Sequence, residues 1–420
     1  MCRAENKRAA EAAECEEDMI YVAVLGYGTV GSGVVEVIEK NKDMVNKKSA
    51  AELEIKYILD LRDFPGDPYE QKVVHDVNII LDDPEVSIIC ETMGGIKPAY
   101  DFTKAALLKG KSVCTSNKEL VAGHGPELLQ IAREHNCNYL FEASVGGGIP
   151  IIRPLNYSLT AEKLEAVTGI LNGTTNYILT KMEKEGADFA ATLKKAQEKG
   201  YAERNPEADI QGYDACRKIA ILSSLMTGQN VSYQNIYTEG ITGITADDFV
   251  YARALGRSIK LLAMSKDTPE GTLAMVAPCM IGPENPLYMV SGVFNAVCVR
   301  GNMLGDSMYY GKGAGKLPTA SAVVSDVVDC ARHQGKTIMC FWNQEEARLV
   351  EIGDVERGFF LRAVADAAAE VEKAFPKAER IRVEGRTQDC GYLIPPMKEK
   401  EFASRYEALG EKALGRIRLE

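Results

Sequence analysis

The chain has 420 residues, 46% hydrophobic and 26% charged, and carries a net charge of −11. It is long enough for two or three domains and too acidic for a sequence-independent hold on nucleic-acid phosphates. No apolar run approaches the ~20 residues that span a bilayer, and the polar N-terminus MCRAENKRAAEAAECEEDM lacks the apolar stretch of a secretory signal.

Eleven cysteines run from Cys2 to Cys390 without a CxxC pair, as expected of reduced thiols in a cytoplasmic protein. His75, His124, His135 and His333 are too scattered for a zinc site. The chemistry is therefore expected from lysines, carboxylates or a bound cofactor.

Residues 1–18 read as a flexible extension. At 19 the pattern changes: MIYVAVL reads as a strand, GYGTVGSG as a glycine turn, and TVGSGVVEVIEKNKDMV has apolar residues at helical spacing. Gly26-Tyr27-Gly28-Thr29-Val30-Gly31 fits G-x-G-x-x-G between strand and helix, which predicts dinucleotide binding. The glycines permit the turn and the approach of a pyrophosphate, and the helix N-terminus offers unpaired N–H groups.

A second strand, EIKYILDL, ends near Asp60 and Arg62. An acidic residue there would accept the ribose 2′-hydroxyl of NAD, and an arginine would take the 2′-phosphate of NADP. Strand periodicity favours Arg62, and a slip of one or two residues favours Asp60. VSIICET, KSVCTSNK and NYLFEASV are further strands separated by helical stretches. Such alternation predicts a Rossmann-type doubly wound parallel sheet over residues 19–150.

Residues 151–330 read as a second α+β domain. It has a strand at KLEAVTGIL, a long helical region over 177–228, and strands at TLAMVAPCMI and GVFNAVCVRG. It is expected to close with a helix near Pro318. Residues 331–420 hold strand and helix signals without a comparable cluster of reactive residues.

Five stretches, CETMGGIKPAYDFTKAALLKGKSVCTSNKELVAGHG (90–125), LFEASVGGGIPIIRPL (140–155), GILNGTTNYILTKM (169–182), GYAERNPEADIQGYDACRKIAIL (200–222) and VFNAVCVRGNMLGDSMYYGKGAGKLPTASAVVSD (293–326), resemble homoserine dehydrogenase in the family's order. The resemblance implies reversible NAD(P)-dependent reduction of L-aspartate 4-semialdehyde to L-homoserine, on the route to threonine, methionine and isoleucine, and makes residues 151–330 the substrate-binding and dimerisation domain. NADP is the expected cofactor, NAD remaining possible, and the partners are a small-molecule substrate and a second or fourth copy of the chain, in a homodimer or homotetramer.

Residue by residue, the resemblance makes Lys218 the proton donor, with Asp214 beside it. Spacing alone would make these two an ordinary i,i+4 surface pair. The resemblance assigns Lys118 to the cofactor–substrate junction as a second cation, with Thr92 and Ser116 as nicotinamide or ribose contacts. Glu203 would pair with the substrate ammonium, Asp209 would add negative charge, and Thr174 would serve the carboxylate; Asp209 and Thr174 read equally well as turn or cap residues. Gly313 of GKGAG would close over the cofactor. Glu142, with the carbonyls of Val145, Gly147 and Ile149, resembles a monovalent-cation site suited to sodium.

The tail departs from the family's longer members. GFFLRAVADAAAEVEKAF (358–375) has a strand and helix but lacks the D-x-P-G-like turn of an ACT domain. A degenerate ACT-like module is expected, with threonine inhibition in doubt and a packing role at least as consistent. A related amino-acid or aldehyde dehydrogenase and a non-catalytic NADP-sensing relative are the competing readings.

Overall fold

The computed structural model describes residues 19–420; the expected N-terminal extension, residues 1–18, lies outside them. The chain forms two compact units. The first comprises residues 19–120, 127–143 and 315–339, and the second 121–126, 144–314 and 340–420.

The first unit is built on β1 (Met19–Leu25), β2 (Glu52–Leu59), β3 (Val73–Val74), β4 (Val86–Glu91), β5 (Ser112–Thr115) and β6 (Tyr139–Leu140). They form a parallel sheet in the order β3-β2-β1-β4-β5-β6. The strands are apolar nearly throughout because helices cover both faces. Leu25 pairs with Leu59 on one side and Glu91 on the other, and Glu91 pairs with Thr115, so four strands end level. Strand order reverses between β1 and β4, the switch point at which open α/β sheets collect ligands.

Helix Thr29–Lys40 buries Val34, Val35 and Ile38 against β1, β2 and a second helix, Lys316–Arg332, which contributes Ala320, Val323, Val324 and Val327. Each of these valines and the isoleucine contributes about 1.5–3 kcal/mol on burial. The helix near Pro318 thus belongs to the first unit, where the sequence led us to expect it closing the second. An amphipathic stripe declares that a helix is packed, but not against which core. The chain also changes units at 144 and 340, away from the expected boundaries at 150 and 330.

The second unit contains β7 (Leu164–Ile170), β8 (Tyr237–Thr238), β9 (Ser258–Thr268), β10 (Gly271–Ile281), β11 (Phe294–Gly301), β12 (Gly305–Lys312), β13 (Glu356–Val364), β14 (Glu379–Ile381), β15 (Asp389–Lys398) and β16 (Ala413–Leu419). They form one sheet, β12-β11-β7-β9-β10-β16-β13-β15-β14, with β8 alongside β10. The helical region expected over 177–228 is four helices, Gly173–Glu185, Phe189–Glu198, Glu207–Ile210 and Tyr213–Thr227. Gly186 ends the first in the left-handed conformation and Asp188 caps the second, so the breaks follow ordinary stop and start signals.

Residues 356–419 fold as βαββαβ, with helices Ala368–Ala374 and Glu399–Glu407 and internal order β16-β13-β15-β14. This is the split-βαβ arrangement. Phe359, Leu361, Val371 and Phe402 form its core. β16 pairs in parallel with β10, so the tail extends the sheet of the second unit.

Candidate active site

In the first unit the loops after β1, β2, β4 and β5 gather at the carboxyl edge of the sheet. The turn after β1 is held from both sides: Gly26 N–H donates to the Leu59 carbonyl at 2.8 Å, and the Thr92 hydroxyl donates to the Gly26 carbonyl at 2.9 Å. A Cβ on Gly31 would lie 1.9 Å from the Gly26 oxygen, so the turn closes only with glycine there. Gly28 and Thr29 are exposed, and a Cβ on Gly28 would meet nothing within 4 Å. The backbone is therefore open where a pyrophosphate would approach, beside the first-turn N–H groups of helix Thr29–Lys40. These residues fit a dinucleotide.

Asp60 follows β2 directly. Its carboxylate accepts the Tyr27 N–H at 2.8 Å and both Nε and Nη2 of Arg62 at 2.9 and 3.0 Å. The Arg62 guanidinium holds this carboxyl well below the usual carboxylate range, outweighing burial, with the Tyr27 and Arg62 N–H groups assisting. The two candidates for the ribose end thus form one unit: Asp60 is tied to the glycine turn, while the exposed guanidinium of Arg62 lies over the Phe64 ring at 5.0 Å.

At the ends of β4 and β5 lies a group the sequence did not single out. Glu91 is fully buried, accepting from the Thr115 hydroxyl at 2.6 Å and Met93 N–H at 2.8 Å. Burial pushes its carboxyl above the ordinary range, against the hydrogen bonds from Thr115, the Met93 and Gly94 backbone and Asn117. Asn117 caps helix Lys118–Glu134 through Leu120 N–H and ties back to the Gly95 carbonyl. Lys118 thereby opens that helix, with Ser116 one residue before the cap.

The second unit brings together Lys218, Asp214, Asp209 and Asn172. Helix Tyr213–Thr227 is buried along most of its length. The ammonium of Lys218 donates to Asp214 Oδ2 at 2.7 Å and to the Leu171 carbonyl at 2.8 Å. The side chains are only 10% and 6% exposed, so this is a buried pair and not the surface pair that spacing alone suggested. Asp214 lies in the first turn of its helix, where the dipole favours an anion.

Asn172 stands two residues after β7, at the head of the Asn172–Thr175 stretch expected to serve the substrate carboxylate. In the structure its Nδ2 bridges Asp209 Oδ1 at 2.7 Å and Asp214 Oδ2 at 2.9 Å, while its Oδ1 caps helix Gly173–Glu185 through Thr175 N–H. An Asn two residues after a strand and just before a helical run is an N-cap signal. Its cross-links depend on residues about forty positions away. Burial raises the Asp209 carboxyl, and the charge of Asp214 raises it further, against Asn172, Lys218 and Thr174.

Thr174 donates its hydroxyl to the Tyr201 carbonyl at 2.6 Å. The Glu203 side chain is exposed, and its backbone carbonyl accepts Gln197; the structure does not draw its carboxylate into the Lys218 network.

Among the cation-site candidates, Glu142 lies in the first unit, and Val145, Gly147 and Ile149 lie in the second. Glu142 N–H donates to Asp326 at 2.9 Å, and Ile149 N–H to the Gly146 carbonyl at 2.9 Å. Gly313 packs so closely on Asn295 that a Cβ there would lie 2.0 Å from its Nδ2. Among the described residues no group of three or more His, Cys, Asp or Glu side chains could hold a metal ion, and no helix is long and apolar enough to cross a membrane.

Residues 26–142 match the family model for the NAD-binding domain of homoserine dehydrogenase, and residues 150–328 match the homoserine dehydrogenase model. A homoserine dehydrogenase of Synechocystis sp. is 43% identical over 74% of this chain and 73% of its own length. The crystal structure of a homoserine dehydrogenase from Thiobacillus denitrificans, 34% identical, superposes with a TM-score of 0.89 over 96% of this chain and 99% of its own. A hyperthermophilic archaeal homoserine dehydrogenase in complex with NADPH, 28% identical, superposes with a TM-score of 0.62 over 74% of this chain and 97% of its own. A nicotinamide-nucleotide turn in the first unit and a buried lysine–carboxylate network in the second agree with these likenesses: the chain belongs to the homoserine dehydrogenase family of NAD(P)-dependent oxidoreductases.

Proposed function

We propose that Lys218 donates the proton in the reversible reduction of L-aspartate 4-semialdehyde to L-homoserine, with NADPH as the preferred reductant. The observation that carries this reading is the buried ammonium of Lys218, held at 2.7 Å from Asp214 and 2.8 Å from the Leu171 carbonyl. When bound, the reduced nicotinamide supplies hydride to the aldehyde carbon. The carbonyl oxygen then gathers negative charge, which Lys218 neutralises before handing over a proton. Asp214 and the Leu171 carbonyl keep the ammonium in one place, so little reorganisation is needed at the moment of reaction.

Glu203 and Asp209 supply negative charge for the substrate ammonium, and Thr174 serves its carboxylate. In the first unit Gly26, Gly28, Thr29, Val30 and Gly31 receive the pyrophosphate, Thr92 and Ser116 contact ribose or nicotinamide, and Lys118 adds a second cation at the reacting end. Arg62 takes the 2′-phosphate, which its exposed guanidinium supports, and Gly313 covers the cofactor.

On this reading Glu142 and the carbonyls of Val145, Gly147 and Ile149 hold a structural sodium ion. The βαββαβ tail is ACT-like and serves oligomer packing, and the enzyme works in the cytoplasm as a homodimer or homotetramer. The test follows NADPH absorbance with aspartate semialdehyde in wild type and Lys218→Ala. Turnover in wild type and its loss in the variant support the assignment. Cofactor binding without any wild-type turnover would favour a nucleotide sensor instead.

A further inference from the structure

The segment that follows β8 stands directly behind the Asp209–Asp214 wall. Glu239 N–H donates to the Val276 carbonyl of β10 at 2.8 Å, and Ile241 N–H donates to the Ile210 carbonyl at 2.8 Å. Between them, a Cβ on Gly240 would lie 2.2 Å from the Ile210 oxygen and 2.6 Å from Gln211 Cα, so backbone rests on backbone here. Ile210 follows Asp209, and Gly212 N–H donates to the Asp209 carbonyl at 3.0 Å before helix Tyr213–Thr227 begins. Where residues 239–241 stand therefore sets where Asp209 and the first turn bearing Asp214 stand.

Residue 239 is fixed from the far end of the chain. Its Oε2 accepts three donors: Arg418 Nη1 at 2.7 Å, Tyr237 Oη at 2.8 Å and Arg416 Nη2 at 3.2 Å. Arg418 is almost fully buried, and its remaining fork grips both oxygens of Glu399, at 3.0 and 2.8 Å. Its guanidinium also lies over the Tyr237 ring at 4.9 Å. Glu399 is ion-paired in turn with buried Arg357 at 2.8 Å. Burial alone would raise the Glu239 carboxyl, but Arg418 and Arg416 hold it below the ordinary range, so it stays an anion. Charge-assisted bonds of this kind are about twice as strong as neutral ones.

We propose that Glu239 is a positioning residue for the substrate wall, clamped by Arg416 and Arg418 of β16 so that Asp209 stands where the substrate ammonium binds and Asp214 stands where it holds Lys218. This gives the C-terminal βαββαβ a physical hold on substrate affinity. It rests on the reading above, in which Asp209, Asp214 and Lys218 face the substrate.

The test is steady-state kinetics of the full chain with aspartate semialdehyde and NADPH, comparing wild type, Glu239→Gln, Arg416→Gln and Lys218→Ala. In Glu239→Gln the KM for the aldehyde rises about tenfold, the scale of one lost charge-assisted bond. The KM for NADPH is unchanged, and kcat falls by less than the aldehyde KM rises, because Lys218 keeps its 2.7 Å bond to Asp214 as the turn shifts. Arg416→Gln removes the longest of the three bonds, from a partly exposed side chain, and shifts the aldehyde KM in the same direction by less; should Glu239→Gln fail to fold, this variant decides. An unchanged aldehyde KM, or kcat and both KM values moving together, overturns the proposal. A fully active Lys218→Ala would bring down the underlying site reading and the proposal with it. An inactive Lys218→Ala beside a wild-type KM in Glu239→Gln would bring down the link alone.

Discussion

Lys218→Met removes the cation while keeping most of the side-chain length, and its consequences can be worked from the geometry. At 2.7 Å the gross attraction between Lys218 and Asp214 is about 6 kcal/mol at an effective dielectric near 20. Desolvation of both groups offsets much of that, and breaking a buried pair generally costs about 3–5 kcal/mol of folding stability. Here Asp214 keeps its hydrogen bond from Asn172 and its place in the first turn of the helix, which puts the cost near the lower end, about 3 kcal/mol. The catalytic loss is separate. A positioned general acid contributes roughly 10²- to 10⁴-fold, or about 2.7–5.5 kcal/mol of barrier. Urea unfolding reports the first number and NADPH oxidation in the folded range reports the second. A stability loss near 3 kcal/mol with kcat above about a tenth of wild type would mean that Lys218 is structural, and the reasoning would fail.

Three further outcomes follow from the same structure. Arg62→Ala should raise the KM for NADPH about ten- to a hundredfold, the scale of a lost charge-assisted bond, and leave that for NADH alone; equal effects on both cofactors would contradict the phosphate assignment. Gly31→Ala would place a methyl 1.9 Å from the Gly26 oxygen, so the turn must shift and NADPH affinity, read by fluorescence titration, should fall at least about tenfold. An unaltered Kd would show that the turn yields without cost.

Asp209→Asn concerns pH. Because the folded Asp209 carboxyl titrates above its ordinary value of 3.8, the native state binds more protons than the unfolded state between those two values, and its contribution to stability falls as pH rises through that window. The variant should therefore melt higher than wild type near neutral pH and match it below about pH 3.5. A lower melting temperature at neutral pH would show that the charge of Asp209 is a net benefit.

The nucleotide-binding turn was legible because everything it requires is local: an apolar strand, closely spaced glycines and an amphipathic helix within 22 residues, Met19–Lys40. The spacing of Asp214 and Lys218 was equally visible, and with it their shared helix face. Burial was not, since a four-residue interval is the same on a solvated helix as on one packed against β9 and β10. Pattern also declared an amphipathic helix after Pro318 but not its partner, and its placement with the nucleotide unit was settled by which core its apolar face could fill. The cross-links that complete the site span longer intervals still: Thr92 reaches Gly26 across 66 positions, Asn172 reaches Asp214 across 42, and Arg418 reaches Glu239 across 179. The sequence by itself determined the elements and the chemistry they carry, because periodicity, turns and caps act over a few residues. Only the tertiary structure decided which charges share a buried space, because that depends on which strands become neighbours, and no local interaction encodes it.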